Sequence, residues 1–239
     1  TGTITFATGE TSKIITVAVL DDNVFENPES MYVNLLNPTN STIADAQGEG
    51  RILDNADKPS LSVSTTEVVE GGYAVFNIQL SNPSTEDVTF DLTPKEGTAT
   101  QDDYSSIVEV SYDGGVTWTP ASEAIIPAGK TQILARVQTT QDDIDELVEK
   151  FTLTADITSG NTTNVSSTGT ASILDNDGEP QIVISDSSVN EEDGLLTFVV
   201  SLSNPSSNVV TVNYVTADGT AIAGSDYVSS TGTITFAPG

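Results

Sequence analysis

The sequence of 239 residues contains no cysteine and no histidine. Without cysteine, no disulfide can hold the fold together. Without both residues, the chain lacks the side chains that zinc favours and that most often act as nucleophiles or general bases. A folded extracellular chain of this composition needs another staple, and a bound metal ion with oxygen ligands is the candidate that remains.

Basic residues are scarce, with 7 Lys+Arg against 35 Asp+Glu and a formal net charge of −28. Such a surface repels nucleic acid and anionic membranes, so neither is an expected partner. No apolar run approaches the ~20 residues of a membrane span, and no signal peptide is present, so we expect a fragment of a longer protein without direct membrane insertion. Strong acidity also occurs in disordered chains. Here 36% of the residues are hydrophobic and fall in ordered patterns, which indicates a folded protein.

The sequence repeats itself at an offset of about 120 residues. ILDNADKP from Ile52 returns as ILDNDGEP from Ile173, and LSNPS from Leu80 returns from Leu202. TGTITFA occurs near both ends of the chain. Internal repetition of this kind indicates tandem copies of one structural unit. We predict the back half of one repeat over 1–57, a complete repeat over 58–178 and the front half of a third over 179–239.

Each repeat reads as a set of β-strands. Hydrophobic residues alternate with other residues over 73–80 and 196–202, which is typical of half-buried antiparallel strands. Clusters of Gly, Pro, Asn and Asp recur every ~8–12 residues, as in β-sandwiches. The prediction is an all-β chain of tandem Ig-like antiparallel β-sandwiches. The predicted strands A to G are 60–64, 73–80, 88–92, about 107–112, 131–139, 150–155 and 170–174 in the central repeat, and 181–185, 196–202, 209–215, 232–237 (equivalent to 2–7), 13–20, 31–36 and 50–53 in the flanking halves.

The central repeat carries extra sequence, SYDGGVTW, over 111–118. The Asp-Gly-Gly stretch predicts the turn of an inserted hairpin. Trp118, the one tryptophan of the chain, is either a platform for a ligand or packs on its own sandwich. We expect the packing role.

Acidic residues concentrate in alternate turns. Antiparallel strands place the A–B, C–D and E–F turns, and the exit of strand G, at the same end of a sandwich. These segments read VVEGG, GTATQDDY, QDDIDELVE and LDND in the central repeat, and VNEEDG, GTAIAGSDY, DDNVFENPE and LDNAD in the flanking halves. The turns at the other end, such as SNPSS and NPTNST, are poor in acid. The pattern predicts an acidic cluster at one end of each sandwich.

Like charges gathered in this way destabilise a fold unless a cation bridges them. Ca²⁺ takes six to eight oxygen ligands in flexible geometry, whereas Mg²⁺, the alternative, requires a tighter octahedron and retains water. A simpler explanation is that Asp and Asn favour exposed turns. Because four separate segments converge in each repeat, we favour Ca²⁺ as the cofactor.

These motifs resemble the Calx-beta repeat, whose pattern joins an acid after strand A to GTAxxGxDY, TFxPG, DDxxxExxE and a closing IxDND. The resemblance implies an Ig-like sandwich with Ca²⁺ bound at one tip. The central repeat departs from the pattern in TQDDY, in its insertion and in Gln141, where the first segment has Asp21. Because Gln141 is neutral, the resemblance implies that the central site binds fewer ions or binds them more weakly. The implied ligands are Glu70, Asp103, Asp142, Asp143, Glu146 and Asp175 in the central repeat, Glu191, Asp226, Asp21, Asp22, Glu26 and Asp54 in a repeat assembled from the two halves, and additionally Asp57 and Asp177.

Proteins with Calx-beta repeats include sodium–calcium exchangers, where the repeats are regulatory sensors, and large bacterial surface adhesins, where they form stalks. Tandem repeats, few lysines and no cysteine favour the second role: a calcium-binding stalk segment of a secreted or cell-surface, bacterial adhesin whose partners are neighbouring repeats. The calcium sensor is the alternative. A carbohydrate-binding module fits less well, because only 6% of the residues are aromatic. An enzyme is not expected; a paired-carboxylate hydrolase needs neither His nor Cys, but these acids crowd into tips rather than lining a cleft.

The two half-repeats carry complementary strands. Neither half buries its inner face alone, and exposed apolar surface costs about 25 cal/mol per Å². Residues 179–239 hold strands A to D, and residues 1–57 hold strands D to G. We therefore expect the halves to pair between molecules, which resembles domain swapping.

Overall fold

The computed structural model describes residues 2–55 and 58–239. Their regular structure consists of β-strands and one short 3₁₀ turn, Glu191–Asp193, which confirms the predicted all-β class. Within these residues no helix has the length and apolar character needed to cross a membrane. The strands are β1 (Glu29–Asn34), β2 (Gln47–Ile52), β3 (Leu61–Val63), β4 (Thr66–Val69), β5 (Tyr73–Leu80), β6 (Val88–Glu96), β7 (Tyr104–Ser111), β8 (Thr119–Pro120), β9 (Glu123–Ile126), β10 (Gln132–Thr139), β11 (Glu149–Ser159), β12 (Ser166–Leu174), β13 (Ile182–Ile184), β14 (Val200–Leu202), β15 (Val210–Val215) and β16 (Thr231–Phe236).

The central part of the chain, from β3 to β12, is a sandwich of two five-stranded sheets. One sheet has the order β3-β5-β10-β7-β8 and the other the order β4-β12-β11-β6-β9. Neighbouring strands are antiparallel except β4, which runs parallel to β12. The sequence pattern predicts neither β4 nor β9. The β4–β5, β6–β7 and β10–β11 connections and the exit of β12 carry the acidic segments.

The core lies between the two sheets and consists of alternate residues of facing strands. In β5 the side chains of Phe76 and Ile78 are fully buried while Val75 is exposed, as the period of two predicts. The opposite sheet contributes Phe90 and Phe151, and Phe151 meets Phe76 edge-on with ring centroids 6.1 Å apart. Burying a Phe side chain contributes about 1.5–3 kcal/mol. This core holds the strand ends from which the acidic turns emerge.

The insertion in the central repeat forms the predicted hairpin, in which β7 pairs antiparallel with β8. Asp113 organises its loop. The Asp113 carboxylate accepts hydrogen bonds from the Thr117 hydroxyl at 2.6 Å, the Thr117 amide at 2.9 Å and the Ser111 hydroxyl at 2.7 Å. These donors, with the Thr117 hydroxyl first, lower the pKa of Asp113. The Asp113 carboxylate is therefore stabilised by hydrogen-bond donors of its own loop.

Trp118 packs on its own sandwich, as predicted. Its indole N–H donates to the carbonyl of Gly115 at 3.0 Å. The Arg136 guanidinium lies 4.3 Å from the Trp118 ring centroid, and Arg136 also forms an ion pair of 2.7 Å with Glu109. The stacked cation fixes the tryptophan against β10 and β7.

The flanking segments form three separate two-stranded sheets, β1–β2, β13–β14 and β15–β16. Residues 2–7 and 13–20, predicted as strands, form no strand, and only Val200–Leu202 of the predicted strand 196–202 does. In the central sandwich the strand equivalent to 13–20 is β10, which pairs with β5 and β7. Residues 1–57 contain no equivalent of β5, and a strand needs a hydrogen-bonded neighbour. The side chains of Ile14 and Leu20 are consequently exposed, and so is Phe198 in the third segment, which contains no equivalent of β10.

We expect the chain of 239 residues to associate through these exposed halves. Pairing 179–239 of one molecule with 1–57 of another buries the apolar side chains that a single molecule leaves in water. Multi-angle light scattering should detect dimers or longer head-to-tail species, and deletion of 1–57 should return the protein to a monomer. A monomer whose two ends are protected in hydrogen exchange would contradict this prediction.

Candidate metal centre

The β6–β7 loop, which begins with GTA, is held against the start of β11. A Cβ on Gly97 would collide with the carbonyl oxygen of Lys150, so glycine permits the close approach. Ala99 donates its amide to the same oxygen at 2.9 Å, and the Thr98 hydroxyl accepts the Lys150 amide at 2.8 Å. The first half of the motif is therefore an anchor for the loop.

The second half of that loop presents a carboxylate. Asp103 accepts hydrogen bonds from the Thr100 amide at 2.6 Å and the Thr100 hydroxyl at 3.0 Å. The next residue, Tyr104, is buried, and its ring stacks on Phe151 with centroids 4.3 Å apart. The Asp-Tyr pair thus positions Asp103 at the tip by fixing its neighbour in the core.

Main-chain donors orient the carboxylates of the β10–β11 loop and of the β12 exit. Asp142 accepts the Ile144 amide at 2.8 Å. Asp175 accepts the amides of Glu146 at 3.2 Å and Asp177 at 3.1 Å through its two oxygens. These hydrogen bonds fix the orientation of the two carboxylates, both of which line one cleft.

All four segments meet in one cleft at the tip of the central sandwich. Carboxylate oxygens form two groups within which the atoms lie no more than 4.8 Å apart, one of Glu70, Asp142 and Asp177, the other of Asp103, Glu146 and Glu149. The residues that line the cleft are Glu70, Asp103, Thr140, Asp142, Glu146, Leu147, Glu149, Ile173 and Asp175.

Of the predicted ligands in the central repeat, five line the cleft: Glu70, Asp103, Asp142, Glu146 and Asp175. A sixth, Asp177, belongs to the carboxylate group of Glu70 and Asp142. The exception is Asp143, which is exposed and lies outside both carboxylate groups. Glu149 also lies in this cleft but is not among the predicted ligands. The signal was present, because Glu149 is the final acid of QDDIDELVE.

Burial and neighbouring carboxylates raise the pKa of two acids in the cleft. Glu70 is only 7% exposed, and burial, followed by the neighbouring carboxylates of Asp177 and Asp175, raises its pKa to about 7. Burial, followed by Asp103, likewise raises the pKa of Glu149 to about 7. The Asp177 Oδ2 atom is enclosed and receives no hydrogen bond from the described residues. A buried oxygen without a donor fits a metal ligand.

Gln141 changes the chemistry of the central tip relative to the first segment. Its side-chain amide donates to Glu70 at 2.7 Å and accepts from Asn176 at 3.0 Å. The equivalent residue Asp21 is an acceptor, bonded to the side-chain amide of Asn55 at 2.8 Å. Gln141 thus supplies a donor where the first segment has a carboxylate, so the central tip carries one negative charge fewer at this position.

The first segment repeats half of the arrangement. Asp22 accepts the Val24 amide at 2.8 Å, which matches the contact of Asp142. The pKa of Glu26 is raised, chiefly by the adjacent charge of Glu29. Asp57 lies outside the described residues. The acidic residues that line this cleft are Asp21, Asp22, Glu26, Glu29 and Asp54.

The third segment supplies the other half of the predicted set. Glu191 begins the 3₁₀ turn, and Asp226 accepts the Ile222 amide at 2.8 Å. Among the described residues, neither joins a group of three close carboxylates with the acids of the first segment. The composite site of two half-repeats stays a prediction that requires a second molecule.

Comparison with known proteins places this geometry in a family. The Calx-beta domain matches residues 1–56, 53–179 and 175–239. The human FRAS1-related extracellular matrix protein 2 is 32% identical over 166 residues, which are 64% of this chain and only 5% of that protein. Solved structures that match this chain include the apo-form Calx CBD1 domain (16% identity, TM-score 0.35, 49% of this chain and 99% of that one) and the Calx CBD2 domain (10% identity, TM-score 0.36, 49% of this chain and 86% of that one). Because the family matches extend from residue 1 to residue 239, the chain belongs to the Calx-beta domain family.

Proposed function

We propose that the chain is a calcium-binding structural segment of a secreted or cell-surface adhesin, in which successive Calx-beta domains form a stalk. The tandem arrangement of the family matches supports this role. The related human protein is named as an extracellular matrix protein, and the absence of cysteine leaves a metal ion as the staple of an extracellular fold.

The observation that carries the proposal is the convergence of carboxylates from four loops on one cleft. The donor set consists of oxygen atoms, which suits a hard cation and not zinc. Ca²⁺ accepts six to eight such ligands in variable geometry, as expected for ligands on separate loops. The buried Asp177 oxygen that lacks a hydrogen-bond donor supports the same assignment.

Bound Ca²⁺ would supply positive charge where mutual repulsion otherwise opposes folding. Glu70 would hold it from the β4–β5 turn, Asp103 from the β6–β7 loop, Glu146 and Glu149 from the β10–β11 side, and Asp175 from the exit of β12. The ion would thus tie the loops to the segment that leads into the next repeat. Extracellular calcium sites commonly bind at about 10⁻⁴–10⁻³ M, which gives permanent occupancy in calcium-rich fluids.

Calorimetric titration with CaCl₂ tests the proposal. We expect Glu70→Gln to weaken calcium binding at the central tip by about tenfold or more, equivalent to about 1.4 kcal/mol, because it removes a buried charge while keeping the shape of the side chain. Glu67→Gln is the matched control, since Glu67 is exposed on the neighbouring strand β4. Equal weakening by both substitutions would show that only net charge matters and would contradict the site.

The affinity itself separates the stalk from the regulatory sensor. Sensor sites bind at about 10⁻⁷–10⁻⁵ M, well below the extracellular range. A wild-type dissociation constant in the sensor range would favour the regulatory role, and no heat of binding at millimolar calcium would overturn both.

A further inference from the structure

Successive repeats touch through one recurring contact. It joins the acidic loop of one repeat, residues 21–29 or 141–149, to the Ser-Asn-Pro-Ser turn of the next, residues 81–84 or 203–206. At the first junction, the Phe25 amide donates to the carbonyl of Pro83 at 2.9 Å. The Thr85 amide in turn donates to the carbonyl of Phe25 at 2.9 Å. The turn therefore holds one residue of the preceding repeat by both its main-chain groups, as in a short parallel β-bridge with Ser84.

The second junction has the same construction. The Asp145 amide donates to the carbonyl of Pro205 at 3.1 Å, and the Ser207 amide donates to the carbonyl of Asp145 at 2.9 Å. Asp145 forms a parallel bridge with Ser206. Asp145 and Phe25 occupy the same place, the fifth residue of QDDIDELVE and DDNVFENPE. Because the side chains differ while the main-chain contacts agree, the clamp recognises backbone and not a particular residue.

The Ser-Asn-Pro-Ser turn is shaped for this contact by its own repeat. Ser84 and Ser206 are both buried. The Ser84 hydroxyl accepts the amide of Glu86 at 3.0 Å, and its carbonyl accepts the amide of Gly129 at 2.8 Å. Likewise, the Ser206 hydroxyl accepts the amide of Asn208 at 3.2 Å, and the Ser206 carbonyl accepts the amide of Gly239 at 2.9 Å. A turn tied to the body of its repeat transmits orientation to whatever it holds.

Side chains add a second contact at each junction. Ser206 donates its hydroxyl to the Asp145 carboxylate at 2.7 Å. At the first junction, Asn27 donates to Glu86 at 2.6 Å. The Asp145 carboxylate is thus directed at the next repeat, although its neighbours Asp142 and Glu146 face the acidic cleft.

We propose that the Ser-Asn-Pro-Ser turn is a docking element whose partner is the acidic loop of the preceding Calx-beta repeat, and that this clamp fixes the angle between successive repeats. The surface serves any adjacent pair of repeats because its essential contacts are main-chain hydrogen bonds. The inference goes beyond calcium binding and requires no ion, so either can fail without the other.

Distance measurement between spin labels tests the clamp in the full chain. The absence of cysteine allows labels at Val116→Cys in the central repeat and Val215→Cys in the third segment, both exposed positions. Dilution with unlabelled protein suppresses distances between molecules. Ser206→Ala removes the side-chain contact with Asp145, and Ser207→Pro removes the main-chain donor. Ser84→Ala, at the other junction, is the matched control.

We expect a single narrow distance distribution for the wild type and for Ser84→Ala. The width should increase modestly in Ser206→Ala, which loses a side-chain contact, and roughly double in Ser207→Pro, which loses a main-chain contact, with an unchanged melting temperature of the central sandwich by circular dichroism. A broad wild-type distribution, or equal widths in all four proteins, would overturn the proposal. Because Ser206→Ala leaves the main-chain groups of the turn intact, it remains informative if the proline variant disturbs the third segment.

Discussion

In EDTA, the central sandwich should melt about 10 °C or more below its melting temperature in saturating calcium. Seven carboxylates crowd the tip: two groups of three, within each of which the oxygen atoms lie within 4.8 Å of one another, and Asp175, which lines the same cleft. A ligand at one hundred times its dissociation constant stabilises the folded state by about 2.7 kcal/mol. Each kcal/mol shifts the melting temperature of a domain of this size by about 3–5 °C. Differential scanning calorimetry with calcium or EDTA measures the difference directly.

The control is a match of ionic strength, because salt alone screens repulsion between exposed carboxylates. Magnesium at the same concentration should raise the melting temperature less than calcium, since it requires a tighter octahedron. In Glu70→Gln the difference between calcium and EDTA should shrink. Identical melting temperatures in calcium and EDTA would rule out the calcium site.

The dependence on pH follows from the same carboxylates. The pKa of Glu70 and of Glu149 is about 7 in the folded state, above the ordinary value of 4.5. Between these values the folded state binds more protons than the unfolded state, so stability falls as the pH rises. In EDTA the protein should therefore melt at a higher temperature at pH 5 than at pH 7.5. In calcium this trend should weaken or reverse, because protons compete with the ion.

The convergence of the acidic turns could be predicted from the sequence because the direction of each strand follows from its place in the order of strands. Acids in alternate turns had to meet at one end, and Glu70, Asp103, Asp142 and Asp175 do so. The inserted hairpin did not disturb the count, because it adds two short strands between β7 and β10: β8, which pairs antiparallel with β7, and β9, which pairs antiparallel with β6. The argument depends on the direction of each main strand, so errors in strand boundaries did not affect it.

Other features depend on contacts that a linear pattern does not contain. β4 is a short strand that joins the second sheet by parallel pairing with β12, and nothing in its period distinguishes it from the A–B turn. The strand predicted over 13–20 lacks its neighbour and does not form. Asp145 and Asp142 are both acids of one loop, but only the structure shows that Asp145 bonds to Ser206 in the next repeat. Sequence gives the composition of a loop and not the direction of each side chain.

Tyr104→Ala should destabilise the central sandwich by about 3–5 kcal/mol, the usual cost of truncating a buried aromatic residue. Tyr104 is 1% exposed and its ring stacks on Phe151 at 4.3 Å. Its removal leaves a cavity that the two sheets fill only in part. The melting temperature should fall by about 10 °C or more. Calcium affinity should fall as well, because Asp103 immediately precedes this anchor and its carbonyl accepts the Thr140 amide at 2.8 Å.

Two further substitutions separate the packing of the Tyr104 ring from the role of its hydroxyl and from a tyrosine outside the central core. Tyr104→Phe keeps the ring and loses only the hydrogen bond from Gln101 to the hydroxyl at 2.9 Å, so it should cost about 0.5–1.5 kcal/mol. Tyr227→Ala changes the same residue of the motif in the third segment, where the hydroxyl donates to Asp218 at 2.7 Å and the central core is untouched. It should leave the central melting transition in place. A melting temperature for Tyr104→Ala within a few degrees of that of Tyr104→Phe would mean that the Asp-Tyr motif does not support the tip through the core, and that Asp103 is held by the Thr100 contacts of its own loop.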